Sequence, residues 1–405
     1  MTRIPGIRFL DRTSPPHIAT LIILAALSAL SMNVFLPSLP GMTEYFRTEY
    51  RVMQLSVALY LGVNAVLQIV IGPLSDRFGR RPVMLVSTLL FVLATIGCIL
   101  APTVEVFLAF RMAQAVIVSG QVLGRAAVRD MVPQAEAASM IGYVTMGMSL
   151  APMLAPALGG LLEDVYGWRA SFVLLALLGL ASLWLTWRDM GETALTRASS
   201  FRAQIREYPE LLTARRFWGY CAAAAFASGA FFAYLGGAPF VGSVVFGMEP
   251  ARLGFFFGAP AIGYLLGNYV TGRYSVRFGI NAMILWGACL STLGIGTALL
   301  LFVTGHATAS IFFGFMTFVG FGNGLVLPNA TSGMLSVRPH LAGTASGLGG
   351  AIMIGGGAAL SALAGALLTP GSGATPLLWI MTLTSALAVV SILYTIHRDR
   401  RVAAA

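Results

Sequence analysis

The sequence predicts an all-α membrane protein with twelve transmembrane helices arranged as two pseudo-symmetric bundles of six. Of its 405 residues, 57% are hydrophobic and only 10% are charged. An average soluble domain carries about 25% charged residues, so a soluble chain of this size could not cover its surface with so few. A loop sequence that recurs in the second half of the chain indicates that the two bundles are related.

Apolar stretches of about 20 residues, the length that crosses roughly 30 Å of hydrocarbon, define the helices. The predicted spans are 18–39, 52–73, 83–101, 105–128, 138–162, 169–188, 217–240, 252–272, 281–303, 307–328, 341–368 and 376–396. Such continuous runs exclude a β-barrel, whose strands alternate over about ten residues. The first span is too long for a signal peptide and is expected to be retained.

All 25 basic residues are arginine. Without lysine there is no Walker A loop and no Schiff-base site for retinal or pyridoxal phosphate, so we expect no cofactor. If the N-terminus is cytoplasmic, most arginines fall on the cytoplasmic side. The arginines predicted outside are Arg47, Arg51, Arg169 and Arg252. This bias predicts two cytoplasmic termini in a bacterial inner membrane, and contact with lipid headgroups instead of nucleic acid.

The longest connection, 189–216, is polar and rich in arginine and glutamate. We expect it to be a cytoplasmic linker between an N-terminal six-helix bundle, 1–188, and a C-terminal one, 217–405. The sequence SDRFG at 75–79 recurs as SVRFG at 275–279, each time between the second and third helices of its half. Parallel repeats of this kind place a substrate between the halves near the midplane, and one chain supplies both halves, so a monomer suffices.

Metal chemistry is not predicted. Cys98, Cys221 and Cys289 lie far apart inside apolar runs, without the spacing of a metal site or a disulfide. The four histidines lie near span ends, outside any HExxH pattern.

Several motifs resemble those of one family of transporters. The loop GPLSDRFGRRP at 72–82 resembles the signature loop of the major facilitator superfamily. The segments NVFLPSLP at 33–40, RDM at 129–131 and APMLAPALGG at 151–160 resemble its bicyclomycin/chloramphenicol-resistance branch of drug:proton antiporters. The resemblance implies the major facilitator fold and export of amphipathic small molecules, driven by inward proton movement.

The resemblance also implies a cytoplasmic gate. In the outward-open state Asp76 would dock at the start of the eleventh helix, near Gly343, with Arg77 and Arg129 as ionic partners. The same loop contributes Gly79 and Arg80. The second half carries Val276 where the first carries Asp76, and a plain topology signal is the alternative interpretation.

The fifth helix resembles the antiporter motif of the family. The residues that carry this resemblance are Pro152, Pro156, Gly159 and Gly160. Prolines bend helices and small residues permit close approach, so we expect this helix to shape the interface between the halves. The glycine-rich eleventh helix is its expected partner, although ordinary close packing explains the same residues.

Arg111 lies inside the fourth span, roughly 9 Å below its outer end. An arginine at such a depth costs about 2.5–3.5 kcal/mol or more, so it should face protein or a wet cavity. It shares one helical stripe with Gln114, Gln121 and Arg125. We expect Arg111 to set the potential of a central cavity, for proton coupling or for anion binding. Snorkelling outward or pairing with Glu105 are the alternatives.

None of the 15 acidic residues is predicted at the midplane. The related exporters carry an aspartate on the first helix where this chain has Asn33, and an amide cannot exchange a proton near neutral pH. Three explanations stay open. A span-end carboxylate such as Glu105 or Asp130 carries the proton, the protein is an uncoupled facilitator, or a positive cavity moves anions. Asn33 itself could also be a simple contact between helices.

Polar and aromatic residues at helical spacing predict the rest of the cavity wall. These are Tyr60, Asn64 and Gln68 on the second helix, Tyr264 and Asn268 at equivalent places on the eighth, and Phe232 on the seventh.

The leading functional hypothesis is a secondary active transporter that exports small amphipathic compounds, antibiotics included, by proton antiport and alternating access. The alternative is a facilitator or exchanger of a small anionic metabolite that uses Arg111 without proton coupling. A membrane-embedded enzyme would need a catalytic constellation of Asp, His, Ser or Cys inside the spans, and the sequence offers none.

Overall fold

The structure is a computed structural model that describes residues 8–131, 154–194, 209–338, 341–369 and 371–403. All regular secondary structure in these ranges is helical, and eleven helices are long and apolar enough to cross a membrane. In chain order the helices are α1 Ile18–Tyr45, α2 Tyr50–Phe78, α3 Arg80–Leu100, α4 Val104–Val128, α5 154–166, α6 Arg169–Asp189, α7 Arg215–Val245, α8 Pro250–Phe278, α9 Ile280–Val303, α10 Ala309–Val337, α11 Thr344–Leu367 and α12 Thr375–Asp399.

The predicted all-α membrane fold is therefore confirmed. Eleven predicted spans correspond to the eleven long helices. The twelfth is the predicted span 138–162, of which only the part inside α5 belongs to the described residues.

The helix ends form two faces of the bundle. We call the end that carries the turn at residue 79 the motif face; the turn at residue 279 and the start of α1 lie there too. The other end, with the connections 46–49, 101–103 and 304–308, is the opposite face. Gly79 and Gly279 have φ values of +97° and +82°, a backbone conformation that glycine adopts without strain. The repeated sequence thus makes the same turn twice.

Within the described residues of the first half, two helices are interrupted by 3-10 turns. In α1 a 3-10 turn at Leu36–Ser38 separates Ile18–Asn33 from Leu39–Tyr45, because Pro37 and Pro40 supply no backbone donors. In α4 a 3-10 turn covers Ala115–Val118. We call the first of these the α1 break.

Glycines let several helices meet backbone to backbone. A Cβ atom at Gly320 of α10 would overlap the Pro260 carbonyl oxygen of α8, and one at Gly263 would overlap the Thr317 carbonyl oxygen. Such contacts are the usual way for helices to pack in lipid, where no hydrophobic effect drives them together.

Helix α5 packs differently from the prediction. A Cβ at Gly159 would overlap the Val34 carbonyl oxygen of α1, and one at Gly160 would overlap that of Pro250 in α8. The expected pairing with α11 is not among these contacts of the described part of α5. Helix α11 packs on α2 and α7, because its glycines accommodate larger side chains such as Phe232. Pro152 lies outside the described residues.

The helices α1–α6 and α7–α12 meet in a layer of contacts at the opposite face, which we call the seam. The Tyr50 hydroxyl donates to the Gly236 carbonyl oxygen at 2.9 Å, and Gln54 Nε2 donates to Ser361 Oγ at 2.7 Å. Between α5 and α8, the Ala251 N–H donates to Asp164 Oδ2 at 3.1 Å.

We expect Gly320→Ala to destabilise the protein, because the added Cβ must push α8 and α10 apart. Overpacking of this kind costs about 1–3 kcal/mol. Gly314→Ala on the same helix is the matched control, since a Cβ there meets no atom within 4 Å. Thermal unfolding in detergent measures both variants, and an equal midpoint for the two would contradict the close approach.

Candidate functional site: a central cavity and two polar clusters

A cavity of about 400 Å³ lies between helices α1–α6 and α7–α12. This volume is within the range of pockets that hold drug-sized molecules. Its polar lining consists of Asn33, Asn64, Gln68, Gln121, Arg125, Ser228, Tyr264, Asn323, Thr331 and Ser346. Its larger apolar side chains are Met32, Phe231, Phe232, Leu235, Phe257, Leu327, Met334, Leu335, Met353 and Ile354. Among the described lining residues Arg125 carries the only formal charge.

Five residues predicted for the cavity wall line the cavity. They are Asn33, Asn64, Gln68, Tyr264 and Phe232. Tyr60 and Asn268 do not belong to the lining. The amide of Asn268 donates to the Tyr264 carbonyl oxygen one turn earlier, at 2.8 Å. Asn323 was missed, although it is a lone amide within the apolar run of the tenth span, a signal that marks functional polar groups in membranes.

Arg111 is enclosed by protein and does not line the cavity, so its predicted position in the cavity is wrong. Its side chain is 1% exposed. The guanidinium donates to the Ser31 carbonyl oxygen at 3.0 Å and to Gln114 Oε1 at 2.8 Å. It also lies over the rings of Phe35 and Tyr60, at 4.3 and 4.0 Å from their centroids.

The charge of Arg111 is thus stabilised by hydrogen bonds and aromatic faces. Among the described residues no carboxylate lies within the 4 Å of an ion pair. The buried guanidinium does not snorkel outward. It does not pair with Glu105, whose side chain is exposed. Gln114 donates onward to Thr95 Oγ1 at 2.7 Å, so the cluster joins α1, α3 and α4.

The residues of the predicted stripe lie on both sides of the 3-10 turn at Ala115–Val118, at different depths along α4. Arg111 and Arg125 are 14 residues apart, which is roughly 21 Å of helix rise, so they meet different neighbours. Arg111 and Gln114 precede the turn and point into the bundle. Gln121 and Arg125 follow it and line the cavity.

Asn33 ends the first part of α1 at the cavity wall and is 2% exposed. Its Nδ2 donates to the Ala29 carbonyl oxygen at 2.7 Å. Its Oδ1 has no hydrogen-bond partner within the described part of the chain. Asn33 therefore presents an unused acceptor beside the cavity.

A second polar cluster lies at the motif face, with Arg80 at its centre. Arg80 Nη1 pairs with Asp76 Oδ1 at 2.6 Å, and Arg80 Nε pairs with Asp130 Oδ2 at 3.1 Å. Glu192 accepts a hydrogen bond from the Arg80 backbone N–H at 2.8 Å. The cluster joins the ends of α2, α3, α4 and α6.

In the described conformation, which is closed at the opposite face, Asp76 pairs with Arg80 and not with Arg77, and the pairing expected in the outward-open state stays a prediction. Arg77 is exposed and lies over the ring of Phe78, while Arg80, one helical turn after Asp76, reaches the carboxylate. The side chain of Arg129 and the surroundings of Gly343 lie outside what the structure describes. In the second half Val276 is 99% exposed, so no equivalent cluster forms around it.

The comparisons with known proteins agree on one family. The family model described as Major Facilitator Superfamily matches residues 21–361. The chain is 31% identical to the chloramphenicol resistance protein of Pseudomonas aeruginosa, over 83% of this chain and 82% of that one. It is 30% identical to the uncharacterized MFS-type transporter YdgK of Bacillus subtilis (strain 168), over 85% and 87%. Multidrug resistance protein D of Escherichia coli (strain K12) is 28% identical, over 91% and 93%.

Solved structures share the fold at low identity. A bacterial homologue of the human lysosomal transporter Spinster, inward-facing and occupied, matches with a TM-score of 0.71 and 16% identity, over 95% of this chain and 96% of that one. The human organic anion transporter MFSD10 (TETRAN) matches with a TM-score of 0.69 and 18% identity, over 93% and 98%. The family model and the relatives at 30% and 31% identity show that the chain belongs to the major facilitator superfamily.

Proposed function

We propose that the protein is a secondary active exporter of small amphipathic compounds, antibiotics included, which works by proton antiport and alternating access. The observation that carries the proposal is the cavity, which has aromatic and amide walls and lies between the helices of the two chain halves. The relatives named for chloramphenicol and multidrug resistance support the same function. Membership of a transporter family favours transport over catalysis.

We take the motif face as cytoplasmic, because its loops carry arginines such as Arg77, Arg81 and Arg277. Both termini are then cytoplasmic, and the bilayer is a bacterial inner membrane. The seam closes the outer side in the described conformation, and the cavity is loaded from the cytoplasm. The moving units are the bundles 1–188 and 217–405, joined by the linker 189–216. One chain forms the cavity, so the working unit is a monomer.

The charge of the cavity favours neutral and anionic compounds over cations. Arg125 is exposed at the wall, and the described lining contains no carboxylate. A cation would lose water without gaining an opposite charge, whereas an anion meets Arg125. The same observation favours the second candidate function, a facilitator or exchanger of a small anionic metabolite. In that function Arg125 is the anion-binding residue, a role that the sequence suggested for Arg111.

Accumulation of labelled chloramphenicol in a pump-deleted bacterial strain tests the proposal directly. Cells that express the protein should accumulate less drug, and a protonophore should restore the level of cells with an empty vector. No change with any member of a chemically broad panel would reject drug export, and narrow uptake or exchange of one anion would favour the second candidate.

We expect Asp76→Asn to reduce export strongly, because it removes the ion pair with Arg80 that joins α2 to α3. Val276→Asn is the matched control at the equivalent position of the second half, and it should leave export unchanged. Drug accumulation and membrane expression are measured together for both variants. Equal export by the two variants would contradict a specific role for the acid.

Arg125→Ala should weaken transport of anionic substrates about two- to five-fold, as expected for an exposed ion pair worth up to about 1 kcal/mol. Transport of neutral chloramphenicol should stay the same.

Arg111→Ala should instead lower thermal stability by about 2 kcal/mol and reduce transport of both classes alike, since it removes charged hydrogen bonds inside the bundle. KM values for one anionic and one neutral substrate distinguish the two roles, and charge selectivity that follows Arg111 would contradict this assignment.

A further inference from the structure

Proton antiport needs a group that gains and loses a proton during the cycle, and Asn33 cannot be that group. The carboxylates suggested by the sequence do not fit either. Glu105 is exposed, and Asp130 pairs with Arg80. Asp189 is buried but accepts three hydrogen bonds, from the Leu10 N–H, the His17 N–H and Thr20 Oγ1. These bonds tie Asp189 to the start of α1 at the motif face, away from the seam.

Glu163 has a different environment. It lies in α5, one residue beyond the predicted span 138–162, and is half-buried. A Cβ at Gly41 of α1 would lie 2.6 Å from its Oε1, which shows how closely α1 covers the carboxylate. Its Oε2 is buried and has no hydrogen-bond partner among the described residues. A carboxylate held in this way is stabilised by protonation.

Burial, the largest of the influences on Glu163, favours its protonated form. Burial raises the pKa of Glu163, the Ser38 hydroxyl lowers it, and the charge of Asp164 raises it. The charged residues of the adjacent elements are Glu44 on α1 and Glu249 and Arg252 at the start of α8. Helix α8 itself presents backbone groups of Pro250 and Ala251 to this turn of α5.

The turn of α5 that carries Glu163 also belongs to the seam. Gly160 packs against the Pro250 carbonyl group, and Asp164 accepts the hydrogen bond of the Ala251 N–H. If the seam opens, α8 withdraws from both residues, and the turn of α5 that carries Glu163 becomes accessible to water from the opposite face. The charged carboxylate is then solvated in the open state and disfavoured in the closed state.

Two further buried polar atoms connect Glu163 with the cavity. Ser38 Oγ lies beside the Glu163 carboxylate without a well-aligned hydrogen bond, and Asn33 Oδ1 has no hydrogen-bond partner among the described residues; their side chains are 0% and 2% exposed. They lie on either side of the α1 break, roughly 8–10 Å apart along the chain. Gly159 holds α5 against this break at Val34. Buried polar atoms without protein partners are commonly bridged by water, which also conducts protons.

We propose that Glu163 is the proton-coupling residue of the transporter. It binds one proton from the outside when the seam is open, the seam closes over the neutral acid, and the proton leaves past Ser38 and Asn33 into the cavity. No other covalent change occurs, and one proton enters and leaves per cycle. The proposal rests on the proposed export function, because it supplies the coupling that export requires.

Reconstituted full-length protein in liposomes tests the coupling, with chloramphenicol as the substrate and a pH-sensitive dye as the proton readout. Wild-type protein should move protons when substrate is added. Glu163→Gln should reduce this proton movement at least tenfold and keep substrate counterflow. Glu44→Gln, which alters an exposed carboxylate on the same face, should keep both activities. Proton movement retained in Glu163→Gln, or wild-type transport without proton movement, overturns the proposal.

A substrate-independent measurement separates failure of this proposal from failure of the export function. Ala157 lies in the seam, with its Cα 3.1 Å from the Cβ position of Gly254. In an Ala157→Cys, Cys289→Ser background, labelling by an impermeant maleimide from outside should increase with external pH, because ionised Glu163 opposes closure. Added Glu163→Gln should make labelling low and independent of pH, whereas Glu44→Gln should preserve the pH dependence. Labelling that is independent of pH in the parent, or still dependent on pH in Glu163→Gln, overturns the proposal even if no substrate is found.

Discussion

Helix α1 breaks at Leu36–Ser38, and the hydrogen bonds lost there have to be replaced within the protein because lipid offers none. Much of the polar architecture of the first half is organised around this requirement. The carbonyl group of Ser31, just before the break, accepts from Arg111, and Asn33 ends the helix at the cavity wall. After the break, α1 covers Glu163 through Gly41. If α1 were continuous, the Ser31 carbonyl group would be bonded within the helix, and Arg111 would lose this acceptor.

The two halves of the chain share a topology and a turn sequence but are stabilised differently. The first half contains charged and amide networks, centred on Arg80 at one end and on Arg111 inside the bundle. The second half has a different network, in which Asp399 accepts from Tyr220 and Asn281, beside backbone contacts such as that of Gly320 with Pro260. Val276, fully exposed where the first half has Asp76, marks the difference. The repeat therefore preserves the backbone turn, whereas the ion pair of the repeated loop, Asp76 with Arg80, has no counterpart at Val276.

The seam is built from interactions that can be broken and remade. Hydrogen bonds between transmembrane helices are worth about 0.6 kcal/mol on average, and the seam contains those of Tyr50, Gln54 and Asp164. Its glycine contacts depend on shape and not on charge. A closure of this modest strength suits an interface that separates in every transport cycle. A single buried carboxylate beside it can shift the balance between open and closed states, since the cost of burying one charge is of comparable or larger size.

The sequence by itself determined the membrane fold, the positions of the spans and the paired turns at Gly79 and Gly279. It also showed that position 33 carries an amide and not a carboxylate. These properties follow from composition, from the length of apolar runs and from local residue types. It also placed Asn64, Gln68 and Tyr264 correctly on the cavity wall, because their helices run regularly through that region. The family resemblance supplied the transporter fold.

Only the tertiary structure decided which polar groups meet. Arg111 lies over the rings of Phe35 and Tyr60 while Arg125 lines the cavity, and helical periodicity records their common stripe but not the neighbours that each depth supplies. The partner of Asp76 depends on the turn at Gly79, which brings Arg80 back over the end of α2. Helix α5 meets α1 and α8 because their carbonyl groups fit against Gly159 and Gly160. The environment of Glu163 depends on this packing, since residues distant in the chain enclose it, and no local pattern in the sequence records that enclosure.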